Sequence, residues 1–180
     1  RLIDETTVHD HTAGLAIPCS EHPYIPMKGA KLKAFRKWLA NKKLIVIDEF
    51  SMLQPRELYY IDKRLREGTG RDIPFGGLVV VLCGDPGQLP PVASDLCVWS
   101  KFAKKSDCKL GCNLYAMFKT LVNLVKNNRA YESDPDSIFF TDFLLHLRDG
   151  KVTEEDWEKL ERKIVLKSND GFSRIGTTRL

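Results

Sequence analysis

The sequence predicts an α/β fold organised on a parallel sheet. Two apolar runs, Leu44-Ile45-Val46-Ile47 and Leu78-Val79-Val80-Val81-Leu82, are short and β-branched, as buried parallel strands are. Between them, Pro55 stands where a helix can start, and Leu58, Ile61 and Leu65 recur at helical spacing. Strand, helix and strand then make one βαβ unit, right-handed by the general rule for such crossovers. Both runs end in a carboxylate and a turn: Asp48-Glu49 before Phe50-Ser51-Met52, and Cys83-Gly84-Asp85 before Pro86-Gly87-Gln88-Leu89-Pro90-Pro91-Val92. In an open parallel sheet, chemistry sits beyond the carboxyl ends of the strands. Asp48, Glu49, Asp85 and Gln88 therefore mark the functional edge.

Taken in order, residues 1–30 are polar, with Pro18, Pro23 and Pro26 breaking any helix. Lys31 to Leu39 reads as a helix, with Leu32, Phe35, Trp38 and Leu39 on one face and basic residues around the rest. The first strand follows. The helix beginning near Pro55 ends at Gly68-Thr69-Gly70, and residues 71–77 lead through Phe75-Gly76-Gly77 into the second strand. Residues 100–112 are polar and cysteine-bearing, a loop or short helix. Leu121 to Val125 reads as a third strand ending near Asn127-Asn128-Arg129. Ser137 to Leu147, rich in Phe139, Phe140 and Phe143, reads as an apolar helix stopped by Gly150. Thr153 caps another, with Glu154, Glu155 and Asp156 in its first turn and Trp157, Leu160 and Ile164 on one face.

Composition sets the bounds. At 180 residues and 43% hydrophobic content, the chain suits one domain, or one domain and part of a second. The net charge of +4 permits a nucleic-acid partner without arguing for one. Five cysteines, odd in number and irregular in spacing, do not form a disulfide framework and point to a reducing intracellular setting. There is no signal peptide and no apolar run long enough to cross a bilayer. With Arg1 first and Thr178-Arg179-Leu180 last, the chain reads as an internal segment of something longer. His9-Asp10-His11 lacks a third metal ligand at convincing spacing. Cys83, Cys97, Cys108 and Cys112 read as core or surface thiols, and Trp38 and Trp157 as packing residues. The basic face from Lys31 to Lys43 reads as a solvated helix face.

The chemistry lies in the strand ends. An Asp-Glu pair there is the acidic half of a nucleotide-hydrolysing site: the first acid holds Mg²⁺, usually through water, and the second accepts a proton from the attacking water. Adjacent acids on a strand point to opposite faces, but a turn starting at the second lets both face a nucleotide. Acids at a strand end are common, so the pair alone does not decide. Gln88 adds weight, because a glutamine here can touch both the γ-phosphate and the attacking water. Leu89-Pro90-Pro91-Val92 has few backbone freedoms and would transmit a displacement of Gln88 as a rigid shift.

Asp-Glu-Phe-Ser-Met, Pro-Phe-Gly-Gly and Gly-Asp-Pro-Gly-Gln-Leu-Pro-Pro-Val together resemble the PIF family of 5′-to-3′ DNA helicases. These belong to superfamily 1B and include the helicase domains of Helitron transposons. The resemblance runs from about Thr6 to about Gly150, and the Gln-Leu-Pro-Pro-Val element is its most specific part. Thr6-Thr7-Val8-His9 is similar to the family's Thr-x-His element, which implies single-stranded DNA contacts for Thr7 and His9. Arg129 matches the arginine that reaches the γ-phosphate from the hinge side of the second motor domain. Leu147-Arg148-Asp149-Gly150 resembles the segment that follows that arginine. The chain departs from the pattern at Asp10 (usually Ser), Pro86 (often Phe) and Ala130 (usually Gln), and it contains no Gly-x-x-x-x-Gly-Lys-[Ser/Thr] phosphate loop.

The resemblance implies a RecA-like, P-loop NTPase parallel sheet. Residues 1–130 would be most of a first motor domain without its phosphate loop, and residues 131–180 the start of a second. It implies ATP and Mg²⁺ as cofactors, and single-stranded DNA and DNA junctions as partners. Roles in DNA repair, recombination and telomere maintenance, and a nuclear location in a eukaryote, follow from it. Asp48 would order Mg²⁺, Glu49 act as general base, Gln88 couple the γ-phosphate to DNA grip, and Arg129 stabilise transition-state charge. Two other readings are a DNA-binding transposon remnant without hydrolysis and an unrelated P-loop enzyme such as a small-molecule kinase. A kinase needs neither a coupling glutamine nor a hinge-side arginine.

Overall fold

The computed structural model describes residues 23–91, 96–125 and 135–163. The chain separates into two compact units, Arg1–Val122 and Asn123–Leu180. In the first, α1 (Gly29–Leu39) leads to β1 (Leu44–Ile47), α2 (Pro55–Thr69), β2 (Val79–Leu82) and α3 (Ser106–Tyr115). The second holds α4 (Pro135–Asp149) and α5 (Glu154–Lys163).

The predicted βαβ unit is present. β1 and β2 pair in parallel, with Leu44 opposite Val79 and Ile47 opposite Leu82. α2 connects them. Pro55 occupies its first turn, where the missing N–H costs nothing, and the Gln54 N–H donates to Glu57 Oε2 at 2.8 Å. Gly70, left-handed at φ 70°, ends it. Leu58, Ile61 and Leu65 are fully buried on its inner stripe, each worth about 1.5–3 kcal/mol of apolar burial.

Two glycines set how closely helices approach α2. A Cβ on Gly68 would meet Phe35 and Leu39 of α1, and one on Gly111 of α3 would collide with the Pro55 backbone. Glu67 and Arg64 pin the entry to α1. The Met27 N–H donates to Glu67 Oε2 at 3.1 Å, and Arg64 donates to the Ile25 carbonyl at 3.1 Å.

The turn into β2 is held by a buried acid. Asp62 Oδ1 accepts the Phe75 N–H while its Oδ2 pairs with Arg66 at 2.8 Å. Phe75 is left-handed at φ 52°, and Gly76 and Gly77 follow at φ 62° and 75°. This carboxylate satisfies a donor that a tight turn would otherwise bury unpaired.

One face of the two-stranded sheet is covered and the other is open. Ile45 and Ile47 are buried, whereas Leu44, Val46, Val79 and Val81 are exposed.

The expected third strand is not formed. Residues 121–125 adopt neither strand nor helix, and Leu121 and Leu124 are 89% and 88% exposed. A β-branched run becomes a strand only when a neighbour takes its backbone groups, and among the described residues only β1 and β2 pair. The stretch expected as loop or short helix is α3, stacked on α2.

In the second unit, Gly150 is left-handed at φ 66° and ends α4 as expected. Thr153 caps α5: its Oγ1 accepts the Asp156 N–H at 3.2 Å, and Asp156 Oδ2 accepts the Thr153 N–H and hydroxyl at 2.9 and 2.8 Å. His146 Nδ1 lies 3.0 Å from the same oxygen. These contacts hold the Asp156 carboxyl well below the usual range, at about 2. Trp157 packs edge-on against buried Phe143 with centroids 5.6 Å apart, and Trp38 stacks on Phe35. Among the described residues no helix is long and apolar enough to cross a membrane.

Candidate functional site at the carboxyl ends of the strands

The register that aligns Ile47 with Leu82 brings the two predicted acidic turns side by side. Pairing continues beyond the strands: the Cys83 N–H donates to the Ile47 carbonyl at 2.8 Å, and the Phe50 N–H donates to the Cys83 carbonyl at 3.0 Å. Asp48 and Glu49 lie between these two bonds, fixed at both ends, and both side chains are exposed.

The chain turns sharply at Glu49, whose backbone is left-handed at φ 51° and ψ 43°. For a residue with a Cβ this costs about 1–2 kcal/mol. Strand alternation therefore breaks at the second acid, the geometry that the sequence required for both carboxylates to serve one ligand. The Glu49 N–H donates to Asp48 Oδ1 at 2.9 Å. A 3₁₀ turn, Phe50–Met52, follows with Phe50 and Ser51 buried. The Phe50 ring packs against Trp99 and Tyr115, with centroids 5.8 and 6.2 Å away, so the floor of the turn is aromatic.

Gly84 makes the close approach of the two turns possible. Its φ is 140°, and a Cβ there would lie 3.0 Å from the Phe50 nitrogen and 3.3 Å from Glu49 Cα. Asp85 then shapes the turn that carries Gln88. Its Oδ1 accepts the Gly87 N–H at 2.8 Å, and its carbonyl accepts the Gln88 N–H at 3.0 Å. This is an Asx turn closed by a backbone turn. Gln88 and Leu89 are exposed and Pro91 is buried, so the proline segment is anchored just after the glutamine.

Three of the predicted site residues, Asp48, Glu49 and Gln88, thus share one edge of the sheet. Thr7, His9 and Arg129 lie outside the described residues, as do Asp10, Ala130 and Val92. The sequence reading passed over the structural parts played by Gly84 and Asp85. Asp-Pro-Gly is itself an Asx-turn signal; the contact that demands Gly84 is visible only in three dimensions. Asp62 was also missed, and its one trace in the sequence is an acid beside the buried stripe of α2. Of the cysteines, Cys108 is buried, and burial beside Cys108 pushes the Cys112 thiol up, which suits packing rather than reactivity.

Among the described residues no group of three or more metal-ligating side chains is formed, so Asp48 offers a single carboxylate, chemically suited to a hard cation that takes its other ligands from water and phosphate. It is an exposed carboxylate with one oxygen turned to the Glu49 N–H, and Mg²⁺ binds through one or two carboxylates, waters and substrate phosphates.

Comparison with known proteins identifies the family. The PIF1-like helicase family model matches residues 2–158. The chain is similar to the ATP-dependent DNA helicase PIF1 of Saccharomyces cerevisiae, at 32% identity over 136 residues, covering 73% of this chain and 15% of the relative. It is also similar to the ATP-dependent DNA helicase PIF1 of Emericella nidulans, at 32% over 154 residues, covering 84% and 19%. Among solved structures, it resembles one described as two coordinating Pif1 helicases unwinding forked double-stranded DNA, with a TM-score of 0.56, 26% identity and coverage of 82% and 36%. It also resembles a Bacteroides Pif1 helicase in complex with ADP-AlF3 and single-stranded DNA, with a TM-score of 0.52, 28% identity and coverage of 85% and 35%. The chain therefore spans under a fifth of the length of these two curated relatives and about a third of the solved chains.

Proposed function

The chain belongs to the PIF1-like helicase family, and from that premise we propose that the intact protein is an ATP-dependent DNA helicase moving 5′ to 3′ on single-stranded DNA. The observation that carries this reading is the pairing of two turns at one sheet edge: Asp48-Glu49, kinked by a left-handed backbone, beside the Asp85-built turn that presents Gln88. Residues 1–130 contribute most of a first motor domain and residues 131–180 begin a second; the division of the chain near Val122 supports a boundary in that region. ATP is the nucleotide, and single-stranded DNA and junctions are the partners, in line with the DNA named for the solved relatives.

In this reading Asp48 holds Mg²⁺, which when bound supplies neutralising charge at the phosphates. Glu49 takes the proton of the attacking water at its carboxylate. Its left-handed backbone fixes where that carboxylate starts, and Gly84 keeps the neighbouring turn close behind it. Gln88 contacts the γ-phosphate and the water, and the Leu89-Pro90-Pro91 segment relays its position to the DNA grip, to which Thr7 and His9 belong. Arg129 stabilises charge in the transition state.

The test is ATP hydrolysis by the intact protein with and without single-stranded DNA, together with unwinding of duplexes bearing a 5′ or a 3′ tail. Hydrolysis that rises with DNA and unwinding from the 5′ tail are expected. Turnover indifferent to DNA would overturn the helicase reading, and unwinding confined to 3′ tails would overturn the polarity.

A further inference from the structure

The charge of this chain is not spread over it. Residues 28–43 hold seven Lys and Arg and no Asp or Glu, so the net +4 is +7 in this segment and −3 everywhere else. The segment is α1 with its flanks, and its basic side chains are exposed or half-exposed. Lys33 and Lys37, one helical turn apart, lie on the side of α1 away from buried Phe35 and Leu39, and Lys31, one turn before Phe35, is exposed in the first turn of the helix. Among the described residues, none of these three lysines has an ion pair.

Among the described residues, α1 presents no open aromatic ring on which an unstacked base could lie. Single-stranded binding relies on open aromatic platforms. The one aromatic residue near this face, Trp38, is stacked on Phe35 at 5.6 Å and capped by the Lys42 ammonium, 4.4 Å from the ring centroid. What remains is a convex, cationic helix face, which suits the dense phosphate charge of duplex DNA, about one per 1.7 Å of axis.

We propose that α1 and the lysines after it form a docking surface for the phosphate backbone of duplex DNA. The inference rests on the reading that DNA is the partner and adds a second, sequence-independent contact to the single-strand contacts of Thr7 and His9.

The experiment measures binding of the intact protein to a blunt duplex and to oligo-dT across about 50–200 mM salt, for the parent and for the triple variant Lys31→Gln, Lys33→Gln, Lys37→Gln. Glutamine matches lysine in helix propensity, so α1 is kept. Each lost phosphate contact removes about 0.9 from the slope of log K against log salt on duplex. The duplex slope should therefore fall by about 2–3, while the oligo-dT slope changes by less than about 0.7. The matching triple arginine variant should retain the parent slope, which separates charge from shape. An unchanged duplex slope would overturn the proposal, and so would an equal fall on both substrates. ATPase assays read the helicase proposal separately: a protein with no DNA-stimulated hydrolysis but with the duplex slope shift would keep this surface and lose that reading.

Discussion

Gly84→Ala tests whether the two turns must touch. The added Cβ would sit 3.0 Å from the Phe50 nitrogen, 3.1 Å from Phe50 Cδ1 and 3.3 Å from Glu49 Cα, at a φ of 140° that residues with a Cβ rarely adopt. Two of those three atoms are backbone, so the strain cannot be relieved by turning a side chain. The Phe50 N–H that must retreat is the donor joining the turn to the Cys83 carbonyl. Backbone strain of about 1–3 kcal/mol and a weakened hydrogen bond of about 0.5–1.5 kcal/mol give a loss of about 1.5–4.5 kcal/mol. At about 4 °C per kcal/mol for a unit of this size, the melting temperature should fall by roughly 6–18 °C. Gly70→Ala is the matched control: it is also left-handed, at φ 70°, but has nothing within 4 Å of an added Cβ. It should lose only about 1 kcal/mol. In the intact protein, Gly84→Ala should also lower kcat by about 10- to 10²-fold through displacement of Glu49, whereas Gly70→Ala should not. Thermal melts of both variants, with ATPase assays below their transitions, decide it. If Gly84→Ala melted no earlier than Gly70→Ala, the contact would not constrain the site and the reasoning would be wrong.

Other perturbations separate chemistry from folding. Glu49→Gln in the intact protein should leave ATP binding nearly intact and reduce hydrolysis about 10²–10⁴-fold, since it deletes the base and keeps the shape; normal turnover would assign the base elsewhere. Arg129→Ala should cut turnover about 10³–10⁵-fold without lowering the melting temperature, and Arg129→Lys should restore little because lysine lacks the planar fork. A mutant that melts early yet hydrolyses normally would mark a structural arginine. Residues 1–180 alone, which contain no Gly-Lys-[Ser/Thr] phosphate loop, should hydrolyse no ATP above background; measured turnover would show that another element grips the phosphates. The Asp156 carboxyl titrates at about 2 in the folded state, below its ordinary value near 4. Its contribution is therefore complete above about pH 4 and is lost as the pH falls toward 2, and Asp156→Asn should abolish that acid dependence, read by helicity and carboxyl NMR shifts.

The legible parts of the fold are those written in local chemistry. Pro55, the Leu58-Ile61-Leu65 stripe and Gly70 specify α2 almost alone, and the two β-branched runs specify β1 and β2. α3 is less legible, because Gly111 weakens the helix locally, and the close approach to the Pro55 backbone that it permits is visible only in three dimensions. Leu121 to Val125 has the composition of a strand, but composition cannot supply a pairing partner. At the site, Asp48, Glu49 and Gln88 could be named from residue type and position. A turn at Glu49 could be expected, but not its left-handed backbone, since glutamate is not a residue that announces a positive φ.

The open face of the sheet bears on how this chain behaves in a tube. Leu44 and Val46 lie beside Val79 and Val81 as one exposed aliphatic surface, and among the described residues each strand is also an edge with unused backbone donors and acceptors. Such a surface recruits copies of itself, by face-to-face burial and by edge pairing. The chain in isolation is thus a colloidal risk, and a Lys or Glu at Val46 or Val79 would be the first substitution to add before any dilute-solution measurement is interpreted.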